Sequence, residues 1–224
     1  MSTKKIETVG IILAGGVGAR FGGSTPKQYN LLNNREIISY SIEAFKSAKR
    51  VDDFIVVLDE KQFLEGRISI QYDVKTIQGG ATRNHSLKNA LDYIKKNYHN
   101  CSRIVENNAA CPLVTSEVLD ELVSLLDKND YVQCTYRITD ALGSYKDGIV
   151  NREDYYLIQS PNAYNFKLLF DSFDPNNPNA HPAVQLPKDA KGYNYFGFIP
   201  NIKITYPHDI LVIEAIMNGR KTKN

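Results

Sequence analysis

Cysteine is scarce in this chain: only Cys101, Cys111 and Cys134 occur. Their odd number and the lack of metal-ligand spacing argue against a disulfide framework or a zinc cluster, and predict free thiols in a reducing compartment. An excess of one charge sign is also missing. The 27 Lys and Arg nearly balance the 25 Asp and Glu, for a formal net charge of +2. With no long basic run, nucleic acid is not an expected partner. Long apolar runs are absent too. The N-terminal MSTKKIETVG leads into a stretch of only about five apolar residues before the first glycines, too short for a signal-peptide core or a membrane span. The expectation is a cytoplasmic protein with no membrane partner. No internal repeat, low-complexity tract or linker divides the 224 residues, so one domain, 1–224, is expected, large enough to bury its own core.

What the chain does have is a stretch from Val9 to Tyr29, VGIILAGGVGARFGGSTPKQY. A short apolar strand, Val9–Leu13, breaks into a loop holding Gly15, Gly16, Gly18, Gly22 and Gly23, with Arg20 inside it and Lys27 after it. Glycine lets backbone N–H groups approach phosphate oxygens, and the cations neutralise them. Strand and helix candidates then alternate. The apolar spacing of Ile38, Ile42 and Phe45 predicts a helix over Arg35–Lys49. The continuous run Phe54–Leu58 predicts a strand buried on both faces. Val74–Ile77 is a weaker strand. Thr82–Tyr98 reads as a helix with Leu87, Leu91 and Ile94 on one face, and Arg103–Glu106 as a strand. Thr115 or Ser116 caps a helix with a stripe at Val118, Leu119, Leu122 and Leu126. Tyr131–Ile138 is a strand. This order predicts an α/β fold: a mainly parallel twisted sheet, Rossmann-like, with helices on both faces.

The pattern changes after Ile138. Asp147-Gly148, a hairpin-turn signal, separates LGSYK from IVNREDYYLI. Residues 139–158 are therefore expected to form a projecting β-hairpin, either an oligomerisation arm or a surface excursion of the same subunit. Phe166–Phe173 reads as a short helix, Asp174–Pro182 as a loop, Ile199–Thr205 as the last strand and His208–Asn218 as a closing helix.

The glycine loop is neither of two common phosphate loops. No G-x-x-x-x-G-K-[ST] string occurs, and Gly16-Val17-Gly18 lacks the third glycine of a dinucleotide fingerprint. What remains, LAGGxGxR followed by Pro26-Lys27-Gln28, resembles the signature of nucleotidyltransferases that activate sugar and polyol phosphates. Further segments narrow the resemblance. Gly79 to Ser86, GGATRNHS, is similar to the GGxxRxxS segment of the 2-C-methyl-D-erythritol 4-phosphate cytidylyltransferase family, which includes the ribitol-5-phosphate cytidylyltransferases. Ala109-Ala110 and Pro112 sit in the register of its HDAARP, Gln159-Ser160-Pro161 resembles its QTPQ, and Asn201 to Asp209 resembles its NxKITxPxD. The matches keep family order from one end of the chain to the other.

That resemblance implies a reaction: a phosphate monoester oxygen attacks the α-phosphorus of CTP and pyrophosphate leaves. Both reactants are anions, so positioning and charge neutralisation carry the catalysis. The resemblance puts Arg20 and Lys27 on the triphosphate and Lys203 on the incoming phosphate, as catalytic cations. Leu13, Ala14, Gly15, Gly16, Gly18, Gly80, Ala81, Ser86 and Ala109 would surround the nucleotide. Arg83 would touch the ligand or support the loop. Ser160, where the family has Thr, would add a hydroxyl donor to the acceptor. Arg152 falls in the register of an arginine that the family supplies from the partner subunit's arm, which implies a homodimer with shared sites. Asp140 matches an aspartate just before the arm. Magnesium is implied by the triphosphate charge, with Asp209 and Asn108 as candidate ligands; Asp209 has a second reading as a helix N-terminal acid.

The sequence departs from the family in one place above all. HDAARP reads Asn107-Asn108-Ala109-Ala110-Cys111-Pro112. Asn108 loses the charge of the aspartate, and Cys111 loses a cation with five donors. The acidic stretch before the final strand is replaced by NAHPAVQL, in which His181 reads as a loop histidine rather than a substitute contact. Nucleotide residues are intact and acceptor residues have drifted. The sequence therefore favours a cytidylyltransferase with another phosphorylated polyol or similar small phosphate as acceptor; analogy with the use of activated polyol phosphates places it in cell-surface polymer synthesis. Two alternatives stand beside it: the methylerythritol enzyme of isoprenoid synthesis, and a CTP-binding regulatory homologue with little activity.

Overall fold

The structure is a computed structural model that describes residues 5–221, apart from positions 17, 19, 24, 180 and 199. Seven strands form its central sheet: β1 (Thr8–Leu13), β4 (Asp53–Leu58), β5 (Lys75–Gln78), β6 (Arg103–Asn108), β7 (Tyr131–Arg137), β10 (Tyr156–Asn165) and β11 (Gly192–Tyr195), in the order β11-β7-β10-β6-β1-β4-β5. Strand β1 runs parallel to β4 and β6, β4 parallel to β5, and β11 parallel to β7. Only β10 is antiparallel to its neighbours, β6 and β7. The sheet is thus mainly parallel, as the alternating pattern predicts.

Helices cover both faces because each strand alternates its side chains. On one face Ile12, Val56, Val105 and Val132 meet Ile38, Ile42 and Phe45 of α1 (Ile37–Ser47) and Leu119 and Leu122 of α5 (Ser116–Leu125). On the other, Val9, Ile11, Ile55 and Ile104 meet Leu87, Leu91 and Ile94 of α4 (Arg83–Asn97) and Leu169 of α6 (Phe166–Ser172). The cap of α4 is Thr82, whose side chain accepts from the His85 N–H, and that of α5 is Thr115, which accepts from Val118. Gly10 sits where α1 presses on β1: a Cβ there would lie 2.4 Å from two ring atoms of Phe45.

Several expectations need correction. The first helix starts at Ile37, not Arg35, because Asn33 and Asn34 take positive φ and turn a short hairpin, β2 (Leu31–Leu32) against β3 (Arg35–Glu36). Two short helices, α2 (Glu60–Glu65) and α3 (Arg67–Tyr72), fill a stretch where no element was expected; Asp59 caps the first and Gly66, at φ 66°, separates them. Residues 200–205 are not a strand, and Ile199 lies outside the described residues. Ile204 is buried by packing against Leu32, Ile37, Leu113 and Ile213 of α7 (Asp209–Lys221), and its N–H bonds to Ala110 O at 2.8 Å. An apolar alternation that looks like strand pairing is here satisfied by tertiary packing. The sheet ends instead on β11, four residues too polar to stand out.

The arm is present but built in two tiers. Tyr156 and Leu157 of β10 pair with Arg137 and Tyr136 of β7, extending the main sheet. Beyond it β8 (Leu142–Ser144) pairs with β9 (Gly148–Val150), with Gly148 at φ 73° closing the turn. IVNREDYYLI is therefore split: its first residues lie in β9 and its last in β10. No helix of the described residues is long and apolar enough to cross a membrane.

Gly10→Ala is expected to lower stability by about 1–3 kcal/mol, the usual size of an overpacking defect. Urea unfolding checks this; an unchanged midpoint would show that Phe45 has room to move.

Candidate active site

The site lies at the carboxyl ends of β1, β5 and β6. In an open α/β sheet that edge opens a crevice where helices leave in opposite directions. A cavity of about 290 Å³ is lined there by Leu13, Ala14, Gly15 and Gly16 after β1, by Gly80, Ala81 and Ser86 after β5, and by Asn108 and Ala109 after β6. Arg83, Lys27, Gln28 and Lys203 complete it.

Each wall is fixed by local bonding. Gln28, buried, donates to Ala14 O at 2.6 Å and to Gly16 O at 3.1 Å, so the glycine loop is latched from inside. Gly18 takes φ 68°, where a Cβ would come within 3.3 Å of Lys27 Cγ. Gly80 has no room for a side chain, since a Cβ would lie 2.4 Å from His85 Cβ. Ser86 Oγ accepts from the Gly80 N–H at 3.1 Å, tying that loop to α4.

Two further cavities adjoin the first. One, about 190 Å³, is formed by Gly18, Arg20, Lys27 and Thr205. It shares Lys27 with the main cavity. The other, about 390 Å³, includes Cys111, Ser160, Asn162, His181 and Asn201, and shares Arg83, Asn108 and Lys203 with the main cavity. Ser160 reaches it through a bulge: Gln159 pairs with Cys134 and Asn162 with Gln133, leaving Ser160 and Pro161 out of register. The bulge is anchored by buried Asn201, whose Nδ2 donates to Ser160 O at 2.9 Å and whose Oδ1 accepts from the Leu113 N–H at 2.8 Å. Asn107, also buried, donates to Ser41 Oγ at 3.0 Å and to Cys111 O at 3.3 Å. The main cavity therefore meets the other two at cations, Lys27 on one side and Arg83 with Lys203 on the other.

A family model described as 2-C-methyl-D-erythritol 4-phosphate cytidylyltransferase matches residues 8–219. The chain belongs to that family. Among relatives, the 2-C-methyl-D-erythritol 4-phosphate cytidylyltransferase of Azobacteroides pseudotrichonymphae is 31% identical over 220 residues, covering 93% of this chain and 97% of that one. The protein of the same name from Clostridium botulinum strain 657 is 28% identical over 223 residues, covering 92% and 96%. The 4-diphosphocytidyl-2C-methyl-D-erythritol synthase of Anaerococcus prevotii superposes with a TM-score of 0.80 at 20% identity, covering 97% and 100%, a likeness of fold. The chain is a CTP-dependent nucleotidyltransferase.

The cytidylyltransferase holds three of its cations without a direct ion pair among the described residues. Among the described residues, the side chains of Arg20, Lys27 and Lys203 have no hydrogen-bond or ion-pair partner. Burial lowers the pKa of Lys27, and the nearby charges of Lys203 and Arg20 lower it further. Such repulsion is relieved by an anionic ligand. Arg83 differs. It forks onto both oxygens of Glu106 at 3.0 and 2.9 Å, and Glu106 is fully buried and also accepts from Asn162 Nδ2 at 3.2 Å. Of its two expected roles the structure displays the supporting one, while the guanidinium still faces both cavities.

Asp209 is used as the helix N-terminal acid. Burial alone would raise its pKa, but the N–H groups of Tyr206 and Thr205, at 2.8 and 2.7 Å from Oδ2, hold the carboxyl below its usual range. Among the described residues no group of three or more His, Cys, Asp or Glu side chains could hold a metal. Asn108 donates to Ser160 Oγ at 2.6 Å. Cys111 is buried, and burial pushes its thiol up to about 12 despite nearby Lys203 and Lys27. Asp140 and Arg152 are not brought to these cavities within one chain. Both are exposed on the arm, where Arg152 bonds to Thr139 O and Glu153. Gln28, Glu106, Asn107 and Asn201 were missed as site residues. Gln28 stands inside the PKQ motif, and its burial was the only extra signal needed.

Two outcomes follow. Arg83→Ala leaves Glu106 buried without its cation, and is expected to destabilise the fold by about 3–5 kcal/mol in urea unfolding; a loss near zero would mean that Glu106 takes another partner. Thiol titration at pH 8 should find no fast-reacting cysteine in the native protein and all of them in denaturant, because burial raises Cys101, Cys111 and Cys134 alike.

Proposed function

We propose that the chain joins CTP to 2-C-methyl-D-erythritol 4-phosphate, giving the CDP-linked product and pyrophosphate, a step of isoprenoid synthesis. The observation that carries this reading is the meeting of three cavities at unpaired cations: a base and sugar chamber, a phosphate chamber beside Arg20 and Lys27, and an acceptor chamber beside Lys203. Lys203 would hold the acceptor phosphate against the α-phosphorus, and Arg20 and Lys27 would neutralise the triphosphate and the departing pyrophosphate. Leu13 to Gly16 with Gly18, Gly80, Ala81, Ser86 and Ala109 would enclose the nucleotide, Arg83 would touch it from its Glu106 anchor, and Ser160 and Asn108 would contact the acceptor. An acceptor phosphate is already a nucleophile, so no proton-transfer dyad is required.

The names of the relatives favour this acceptor over the cell-surface polyol that the drifted residues suggest. One observation keeps the latter as a second reading: the acceptor chamber carries Asn108 and Cys111, two uncharged groups, beside the reaction line. Magnesium would arrive with the triphosphate, since the described side chains offer no cage for it. The arm would supply the partner subunit's Arg152, and with it Asp140, to the acceptor site of a homodimer, which suits two residues that stand exposed and away from the cavities of their own chain.

Pyrophosphate release from magnesium and CTP with methylerythritol, ribitol or glycerol phosphate tests the acceptor. Release with the first alone supports the leading reading, release with another alone supports the second, and CTP binding without release would leave only a binding module. Lys27→Ala is expected to abolish turnover and keep the fold; surviving turnover would overturn the role given to the loop. A monodisperse monomer in solution would remove the one given to Arg152.

A further inference from the structure

The polar side chains around the acceptor chamber are nearly all committed. Asn108 and Ser160 bond to each other. Asn162 donates to Glu106 and accepts from the Cys134 N–H at 3.2 Å. Gln159 accepts from the Asn201 N–H at 3.0 Å, and Asn201 spends its own amide on Leu113 and Ser160. Arg83 is held by Glu106. Besides the Cys111 thiol, and with the Gln159 Nε2 still to spare, two polar side chains of the lining make no hydrogen bond among the described residues. One is Lys203, already assigned to the acceptor phosphate. The other is His181, whose ring makes no hydrogen bond among the described residues, with Nε2 shielded from solvent.

Unsatisfied buried polar atoms are uncommon and costly, and call for a partner that the free chain lacks. His181 also has a defined place in the chain. It begins the turn Pro182–Gln185, with Pro182 buried behind it. Burial lowers its pKa, and the opposing effects of Glu106 and Arg83 are secondary. The ring is therefore neutral near pH 7, with one nitrogen donating and the other accepting. A neutral imidazole does not compete with Lys203 for a phosphate. It does match a hydroxyl group, which both donates and accepts, and the residue lines the chamber.

We propose that His181 is a specificity-determining residue that hydrogen-bonds a hydroxyl of the phosphorylated polyol acceptor. It rests on the acceptor chamber of the proposed reaction, and it reverses the sequence-based reading of His181 as a loop residue.

The test is acceptor binding to the full-length protein saturated with a non-hydrolysable CTP analogue, by calorimetry, alongside steady-state kinetics. The probes are methylerythritol, ribitol and glycerol phosphates and a deoxy analogue lacking the free hydroxyls. His181→Ala should weaken binding of whichever polyol phosphate the wild type accepts by about five- to tenfold, the size of one neutral hydrogen bond. The deoxy analogue should lose almost nothing, the KM for CTP should stay unchanged, and His181→Gln, neutral with a donor and an acceptor, should recover most of the loss. Equal losses for polyol and deoxy analogue, or an unchanged acceptor affinity in a folded His181→Ala, would overturn the assignment. So would a wild type that binds none of the probes. An acceptor that binds with the His181 signature and yet releases no pyrophosphate would sink the proposed reaction while upholding the contact.

Discussion

Uncompensated positive charge at one edge of the sheet is the constraint on which the rest depends. Arg20, Lys27 and Lys203 come from opposite ends of the chain and repel one another. Among the described residues none of the three has a direct ion-pair partner, and only the more distant Asp209 offsets the charge of Lys27. The fold pays for that arrangement with its core: two apolar layers on either side of the sheet supply the stability that lets three cations be held without a direct ion pair. Electrostatic catalysis of phosphoryl transfer asks for charge organised in this way before the ligand arrives, and the proposed function uses it so.

Around those cations the structure places its polar groups in bonded pairs. Gln28 latches the glycine loop, Arg83 and Glu106 brace the end of α4 against β6, and Asn107 and Asn201 tie the bulge of β10 to the segment between β6 and α5. A buried polar group without a partner is costly, so these networks fix one geometry rather than many. Asn108 and Cys111 fit into this frame as uncharged members, the first bonded to Ser160 and the second buried with its thiol protonated. The chamber they border is lined by uncharged polar groups beside the cations Arg83 and Lys203.

The glycine-loop half of the candidate site could be read as one unit because it is contiguous. The strand Val9–Leu13, the glycines and the two cations follow one another within about twenty residues, and a run of glycines with cations has no packing purpose. The parallel sheet was legible for a related reason: β1, β4 and β6 are apolar runs, and α1, α4 and α5 carry helical stripes. The strand expected at 199–205 failed because Ile202 and Ile204 alternate as strand residues do, yet bury themselves under α7 and beside Leu113. Short α2 and α3 left no stripe long enough to read.

The amino-acid sequence by itself determined the layered α/β fold and the family, since each is written in local periodicity or in an unbroken motif. Only the tertiary structure decided which side chains meet at the third cavity. Residues 83, 108, 160, 181, 201 and 203 meet there across more than half of the chain. Whether Arg83 braces or binds, whether Asp209 caps or coordinates, and whether His181 lies idle in a loop all depend on which partner stands opposite in space. Hydrogen bonds and ion pairs act over a few ångströms, and spacing along the chain carries no record of them.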